Sequence, residues 1–175
     1  MHRVAKVRPS PLHFCAMTDP MSVVIEWDKA KEIAKRLKEE GKTLVTTNGC
    51  FDILHRGHVD YLEKARDQGD FLLVGVNSDE SVRKLKGSSR PINAAADRAY
   101  VLSALSSVDA VCVFTQDTPE EWLEFIKPDL HVKGGDYLAD SLPETAVVRK
   151  NGGDVRILKY VDGYSTSETI KKAKL

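Results

Sequence analysis

The sequence has no excess of charge of either sign: across 175 residues, 26 Lys and Arg balance 26 Asp and Glu. It therefore lacks the general positive field that captures nucleic acid, and any anionic ligand must be held by local clusters. Aromatic residues make up only 7% of the chain and form no basic, aromatic-rich stripe, which again disfavours nucleic acid. Cysteine is scarce. Cys15, Cys50 and Cys112 include no Cys-x-x-Cys pair, so neither a disulfide framework nor a zinc site is expected, and reduced thiols fit a cytoplasm. No apolar run approaches the roughly 20 residues of a bilayer-spanning helix. A signal peptide's apolar core and cleavage site are also missing at the start. The expectation is a cytoplasmic protein that uses neither nucleic acid nor a membrane.

What is present fits one domain. A chain of this length, 42% hydrophobic, can bury one proper core but is short for two. Residues 1–20, MHRVAKVRPSPLHFCAMTDP, hold three prolines and no periodicity, and read as an N-terminal extension before a domain spanning 21–175. From Asp28 to Glu40, Ala30, Ile33, Ala34 and Leu37 fall at helical spacing, and Gly41 follows as a stop. Short apolar runs then read as strands at Leu44–Thr47, Phe71–Val76, Ala110–Phe114, Leu130–Val132 and Val155–Leu158. Between them, helical patterns cover Val59–Asp67, Asp79–Leu85, Asp97–Ser106, Pro119–Ile126 and Glu144–Asn151. This alternation predicts a single doubly wound, Rossmann-like α/β domain with a mostly parallel sheet covered on both faces.

Ligands of such sheets sit beyond the carboxyl ends of the strands, where strand order reverses, so the segments after each strand matter most. The first reads Asn48-Gly49-Cys50-Phe51-Asp52-Ile53-Leu54-His55-Arg56-Gly57-His58 and runs from a strand into a helix. Gly49 permits a tight turn and close approach of backbone to a phosphate, and free N–H groups at the helix start favour an anion. His55 and His58, three apart, can face the same side of the helix entrance, with Gly57 leaving room for the phosphate they would share. A helix N-terminus lowers a histidine's pKa, so these rings can donate hydrogen bonds with or without a full charge. Two histidines at this spacing alone would read as surface or capping residues; the glycine turn and the buried strand before them make the difference.

Other segments add to this end of the sheet. Asn77 and Asp79 follow the second strand, although Asn77 with Glu80 also makes an ordinary helix cap. Lys133-Gly134-Gly135-Asp136-Tyr137 exposes backbone N–H groups flanked by charges suited to phosphate and ribose. Gly163-Tyr164-Ser165-Thr166-Ser167 opens the last helix with hydroxyls and free N–H groups for phosphates, and Ser165 with Glu168 can serve as a capping box at the same time.

The run GCFDILHRGHVDYLEKAR resembles the signature of the cytidylyltransferase-like nucleotidyltransferases, whose first phosphate-binding motif is HxGH. The resemblance continues through GVNSDESVRKLKG, RPINAAADR, VDAV, VKGGDY and GYSTSETI, and spans about Thr43 to Ile170. It implies that His55 and His58 bind the α-phosphate and stabilise its transition state, that Gly49, Cys50 and Phe51 offer backbone contacts, and that Asp52 shapes the adjoining pocket. It also implies that Lys86 reaches the phosphates from a mobile segment and that Arg90 and Arg98 lie near the same anionic site. Mg²⁺, held mainly through ATP phosphates, is the implied cofactor, and a homo-oligomer the implied assembly.

Within this superfamily the wording is most similar to the branch that joins AMP from ATP to a heptose 1-phosphate, a sugar 1-phosphate, for lipopolysaccharide precursor synthesis. Some bacteria fuse that activity to a sugar kinase; 175 residues leave no room for one, so the resemblance implies the stand-alone form. Val161 and Tyr164 stand where many cytidylyl relatives carry arginine and isoleucine, which weakens a CTP-dependent reading and removes one cationic grip. Two rivals stay open at this point: a cytidylyltransferase for glycerol phosphate or a similar alcohol phosphate, and a non-catalytic nucleotide-sensing module.

Overall fold

The computed structural model describes residues 23–136, 138–159 and 163–173. The expected extension at 1–20, Tyr137 and Val161 lie outside the described residues. In chain order the elements are α1 (Trp27–Glu39), β1 (Leu44–Gly49), α2 (Arg56–Arg66), β2 (Phe71–Asn77), α3 (Asp79–Lys86), α4 (Ala95–Ser103) and β3 (Ala110–Phe114). They continue with α5 (Glu120–Ile126), β4 (Leu130–Gly134), a 3₁₀ turn (Ala139–Ser141), α6 (Pro143–Lys150), β5 (Asp154–Leu158) and α7 (Thr166–Ala173). All five strands pair in parallel. Their order is β3-β2-β1-β4-β5.

The strands are apolar on both faces because both faces are covered, as a parallel sheet requires. On one side Tyr61, Leu62 and Ala65 of α2 and Ala99 and Leu102 of α4 pack on Val45, Leu72, Val74 and Val132. On the other, Ala30 and Leu37 of α1, Trp122, Leu123 and Ile126 of α5 and Val148 of α6 pack on Leu44, Leu73, Cys112 and Phe114. Trp122 is fully buried and lies against the backbone of β2: a Cβ added at Gly75 would sit 2.9 Å from its ring. Burying a side chain such as Phe114, stacked on Trp122 at 6.0 Å, contributes about 1.5–3 kcal/mol. Cys112, in the same cluster, has its thiol pushed up to about 12 by burial. No helix among the described residues is long and apolar enough to cross a membrane.

From β1 the chain steps outward to β2 and β3, then returns to lay β4 on the other side of β1. Strand order therefore reverses between β1 and β4. Here the pairing is short. β1 stays in register with β2 as far as Gly49↔Val76, but with β4 only at Val45↔Leu130 and Thr46↔His131. Beyond Thr46 the backbone ladder between the two central strands ends, and this carboxyl end is the switch point at which such sheets form their ligand crevice.

Candidate active site

Two strained or extended residues carry the chain from β1 into α2. Phe51 adopts φ +46°, in the left-handed region that a bulky side chain rarely takes. Gly49 keeps an ordinary φ, and a Cβ there would lie 3.0 Å from the Phe51 ring. The expectation that Gly49 supplies the turn's special backbone is thus corrected: Phe51 does, and Gly49 makes room for its ring. His55, at φ −142° and ψ 169°, is the extended residue before the helix.

One turn apart, the imidazoles of His55 and His58 stack with centroids 3.8 Å apart and planes 19° from parallel. The half-buried His58 also meets the buried Phe51 ring edge-on at 5.3 Å. Both Nδ1 atoms are buried and unpartnered among the described residues. Burial, then the neighbouring His55, pushes His58 down to about 4, and burial likewise holds His55 below its ordinary value. At neutral pH both rings are therefore uncharged, each with one N–H to donate. No acidic residue stands in the first turn of α2 to compete for an anion.

Gly57 does not leave the open space expected of it. A Cβ there would lie 3.0 Å from the Tyr164 Cβ and 3.1 Å from His55 Nδ1, so the vacancy is taken by close packing. The chain around α7 folds back over the histidine turn. Tyr164 lies near-parallel to His55 at 6.4 Å, Arg56 Nη1 donates to its hydroxyl at 3.4 Å, and Thr166 Oγ1 donates to the Ile53 carbonyl at 3.3 Å. Ser165 Oγ accepts from Glu168 N at 3.1 Å, which realises half of the expected capping box. Gly163 takes φ +83°, and Gly163, Ser165 and Ser167 are exposed.

The two arginines divide differently from their reading as a pair near the phosphates. Asp52, 3% exposed, accepts from Arg90 Nε at 2.5 Å and from the amides of Ile92 and Asn93. Burial opposes its charge, but those amides and the Arg90 guanidinium outweigh it and hold the carboxyl below its ordinary value. Arg98 is only 2% exposed. Its Nε donates to the Asn93 carbonyl, Nη1 to Cys50, and Nη2 to both the Asn77 carbonyl and Asp79 Oδ1. With four of its five N–H donors engaged by the protein itself, Arg98 ties the ends of β1 and β2 to the segment before α4. The resemblance sets it near the anionic site with Arg90; its described contacts are with the protein itself. Asn77 Nδ2 donates to Ser81 Oγ, and α3 is capped by Ser78, whose Oγ accepts from Ser81 N. The expected Asn77–Glu80 cap is therefore corrected by one residue.

Lys86 ends α3, one residue inside the helix and not after it, and is exposed, with Gly87 following at φ +95°. Its charge and those of Arg98 and Arg90 act on the Cys50 thiol, yet burial dominates and raises that thiol. Lys84, its neighbour, is engaged by Asp117 at 3.0 Å and Glu80 at 3.4 Å. Across the crevice, Lys133 Nζ donates to Asn48 Oδ1 at 2.9 Å and pairs with Glu144 Oε1 at 2.7 Å. Gly134 closes β4, Gly135 follows at φ +135° with its N–H on the Leu158 carbonyl, and Asp136 is exposed. Glu144 escapes a reading of the sequence because nothing local marks it; only the approach of α6 to β4 brings it to Lys133.

The end of the sheet thus gathers a neutral histidine pair, the N-terminus of α2, the start of α7 and a lysine on the neighbouring strand. Residues 46–172 match the cytidylyltransferase-like family model. The chain belongs to the cytidylyltransferase-like family. Among its relatives is the bifunctional protein HldE of Actinobacillus succinogenes, 52% identical over 147 residues, which cover 84% of this chain and 31% of that protein. The HldE of Sulfurimonas denitrificans is 52% identical over 148 residues, 85% of this chain and 30% of that protein. The chain therefore spans about a third of the length of these curated relatives. A solved structure described as the lipopolysaccharide core biosynthesis protein from Thermoplasma volcanium superposes with a TM-score of 0.59 at 29% identity, covering 71% of this chain and all of that one. The HxGH run, His55 to His58, follows the carboxyl end of β1 and opens α2.

Proposed function

We propose that this chain transfers the adenylyl group of ATP to heptose 1-phosphate, releasing pyrophosphate and forming ADP-heptose for lipopolysaccharide core precursors. The observation that carries the proposal is the stacked, uncharged His55–His58 pair at the start of α2, at the crevice where the ladder between β1 and β4 ends. Membership in a nucleotidyltransferase family and the relatives named HldE support it. So does the lipopolysaccharide core biosynthesis protein as a structural neighbour.

The acceptor needs little proton chemistry. A sugar phosphate has a second pKa of about 6, so near neutral pH its oxygen is already an anionic nucleophile. That oxygen attacks the α-phosphorus of ATP, the bond from this phosphorus to the oxygen bridging to the β-phosphate breaks, and pyrophosphate leaves with that electron pair. The protein's task is alignment and fixed donors for the growing charge. We assign His55 and His58 to the α-phosphate, with backbone N–H groups of Gly49, Cys50 and Phe51 beside it. Lys86 and the terminal nitrogens of Arg90 serve the triphosphate, and Gly163, Ser165, Thr166 and Ser167 its β and γ groups. Asn48, Asn77, Asp79, Gly134, Gly135 and Asp136 complete the walls for nucleoside and acceptor, and Tyr137 is assigned to the same substrates. Asp52 and Arg98 hold those walls in place.

No group of three or more His, Cys, Asp and Glu among the described residues could cage a metal, and Asp52 and Asp79 are committed to arginines. This donor set fits a magnesium ion carried by triphosphate oxygens and water. When bound there it spreads the charge of the leaving pyrophosphate. Assembly as a homo-oligomer and a cytoplasmic location belong to the same reading.

Pyrophosphate release, measured with ATP and CTP against heptose 1-phosphate, glycerol 3-phosphate and no acceptor, tests the proposal. ATP with heptose 1-phosphate is expected to lead by a hundredfold or more in kcat/KM, about 2.7 kcal/mol of transition-state discrimination. A comparable lead for CTP with glycerol phosphate would overturn the substrate while leaving the role of the histidines intact. Binding of ATP without turnover of any pair would favour a sensing module.

A further inference from the structure

The crevice holds one ion pair that the proposed chemistry leaves unused. Glu144, on the first turn of α6, is 3% exposed, so its carboxylate cannot reach a substrate. Lys133 keeps 23% of its side chain exposed, at the end of β4 where strand order reverses. Its ammonium has three N–H donors; one goes to Asn48 Oδ1, while Glu144 Oε1 stands 2.7 Å away as an ion pair without an aligned hydrogen bond. A buried carboxylate at 2.7 Å offsets most of the lysine's charge, so a phosphate brought to Nζ would meet both fields at once. An N–H not used by Asn48 keeps its value towards a neutral oxygen. The pairing also fixes the Asn48 amide with its oxygen towards Lys133, leaving its NH₂ as a second donor at the same place.

We propose that Lys133, oriented by Glu144, is a specificity-determining residue that reads a sugar hydroxyl on the β4 side of the crevice, while phosphates are confined to the α2 and α7 side. Glu144 acts only through Lys133 and is a positioning residue. The inference rests on the nucleotidyl-transfer reading for the identity of the substrates. Two sugars carry the required chemistry, the ribose of ATP and the sugar of the acceptor.

Calorimetric titration of the full chain separates these sources. Wild type, Lys133→Met and Glu144→Gln are each titrated with ATP, 2′,3′-dideoxy-ATP, heptose 1-phosphate and inorganic phosphate. Lys133→Met is expected to weaken either ATP or heptose 1-phosphate by about tenfold. Its effect on dideoxy-ATP and on phosphate should be small. Loss against ATP but not dideoxy-ATP assigns the ribose; loss against heptose 1-phosphate but not phosphate assigns the acceptor. Glu144→Gln, which frees the ammonium charge, should tighten inorganic phosphate about tenfold. Equal weakening of dideoxy-ATP or of phosphate by Lys133→Met would make the lysine a phosphate grip and overturn the proposal, as would no effect on any ligand. Unchanged phosphate affinity in Glu144→Gln would overturn the neutralising role. If Glu144→Gln melts out, the double variant Lys133→Met with Glu144→Gln, which buries no charge, must reproduce the Lys133→Met profile or the proposal fails. Failure of heptose 1-phosphate to bind wild type, with the ATP arm as expected, would sink the acceptor named above and leave the role of Lys133 standing.

Discussion

His55 and His58 face each other as stacked rings 3.8 Å apart, with no described partner on either Nδ1. Two cations at that distance would repel, and burial disfavours even one, so the pair works as two neutral donors aimed at charge that grows elsewhere. Replacing either histidine with alanine should lower kcat by about 10²-fold or more, as expected for the loss of one preorganised donor. Steady-state kinetics on folded variants checks this, and near wild-type kcat in both would remove the pair from the mechanism.

The same burial makes stability depend on pH. His58 and the fully buried His131 titrate at about 4 and about 3 in the folded protein, against an ordinary value of 6.5. Between those values the unfolded chain binds more protons, so stability is full above about pH 6.5 and falls as pH drops towards 4. Asp52, whose carboxyl is held below 3.8, adds a further loss at still lower pH, as it becomes protonated in the fold. Thermal melts from pH 7.5 to 4.5 should show a falling Tm, less steep in His131→Gln, which keeps a polar partner for Thr46 without titrating. A flat wild-type profile would contradict the burial argument.

Arg98 is the opposite of a surface charge. Replacing it with methionine strands Asp79 and three carbonyls, and should cost about 3–5 kcal/mol of stability. Lysine, lacking the planar fork, should recover only part of it. Chemical denaturation of the two variants tests the order wild type, Lys, Met.

Lys86→Ala should show the reverse pattern, since an exposed lysine at a helix end contributes little to folding. Turnover of ATP is expected to fall while Tm stays within about a degree or two. A variant that melts early yet turns over normally would give Lys86 a structural role.

Gly57→Ala sets stability and activity against each other. Alanine favours the helix by up to about 1 kcal/mol over glycine. Its Cβ, however, would press on Tyr164 and on the His55 ring at about 3 Å. A shift of that ring should cost at least about tenfold in kcat with little or no loss of Tm. Unaltered kcat would show that the packing of Tyr164 against His55 is not needed for catalysis.

The strands and helices were legible because a parallel sheet covered on both faces leaves runs such as Phe71–Val76 almost wholly apolar, and because the helices between them keep one buried stripe. The histidine pair was legible from its spacing together with the glycine turn and the buried strand before it. What spacing does not carry is where a polar side chain finds its partner. Asp52 and Arg90 are 38 residues apart, and Lys133 reaches Asn48 across 85, so their contacts exist only once the strand order is known. The contacts of Arg98 were not legible because an arginine near a phosphate site and an arginine holding that site's walls read alike in sequence. Phe51, with its positive φ, was hidden by the glycine two residues earlier, which is the residue one expects to bear such a conformation.

The short register between β1 and β4 also has a mechanical side. Backbone ladder joins these strands at only two positions, and past Thr46 the links are side-chain ones: the Tyr61 hydroxyl between Thr47 Oγ1 and the Val132 carbonyl, and Lys133 with Asn48. Force or thermal agitation would find its weakest seam there, so the sheet should part along the middle, between the β3-β2-β1 leaf and the β4-β5 leaf, before it frays at either edge. Those amide hydrogens of Thr47, Asn48 and Val132 that face the seam should then exchange ahead of those of Leu73 and Val74, residues in register with strands on both sides.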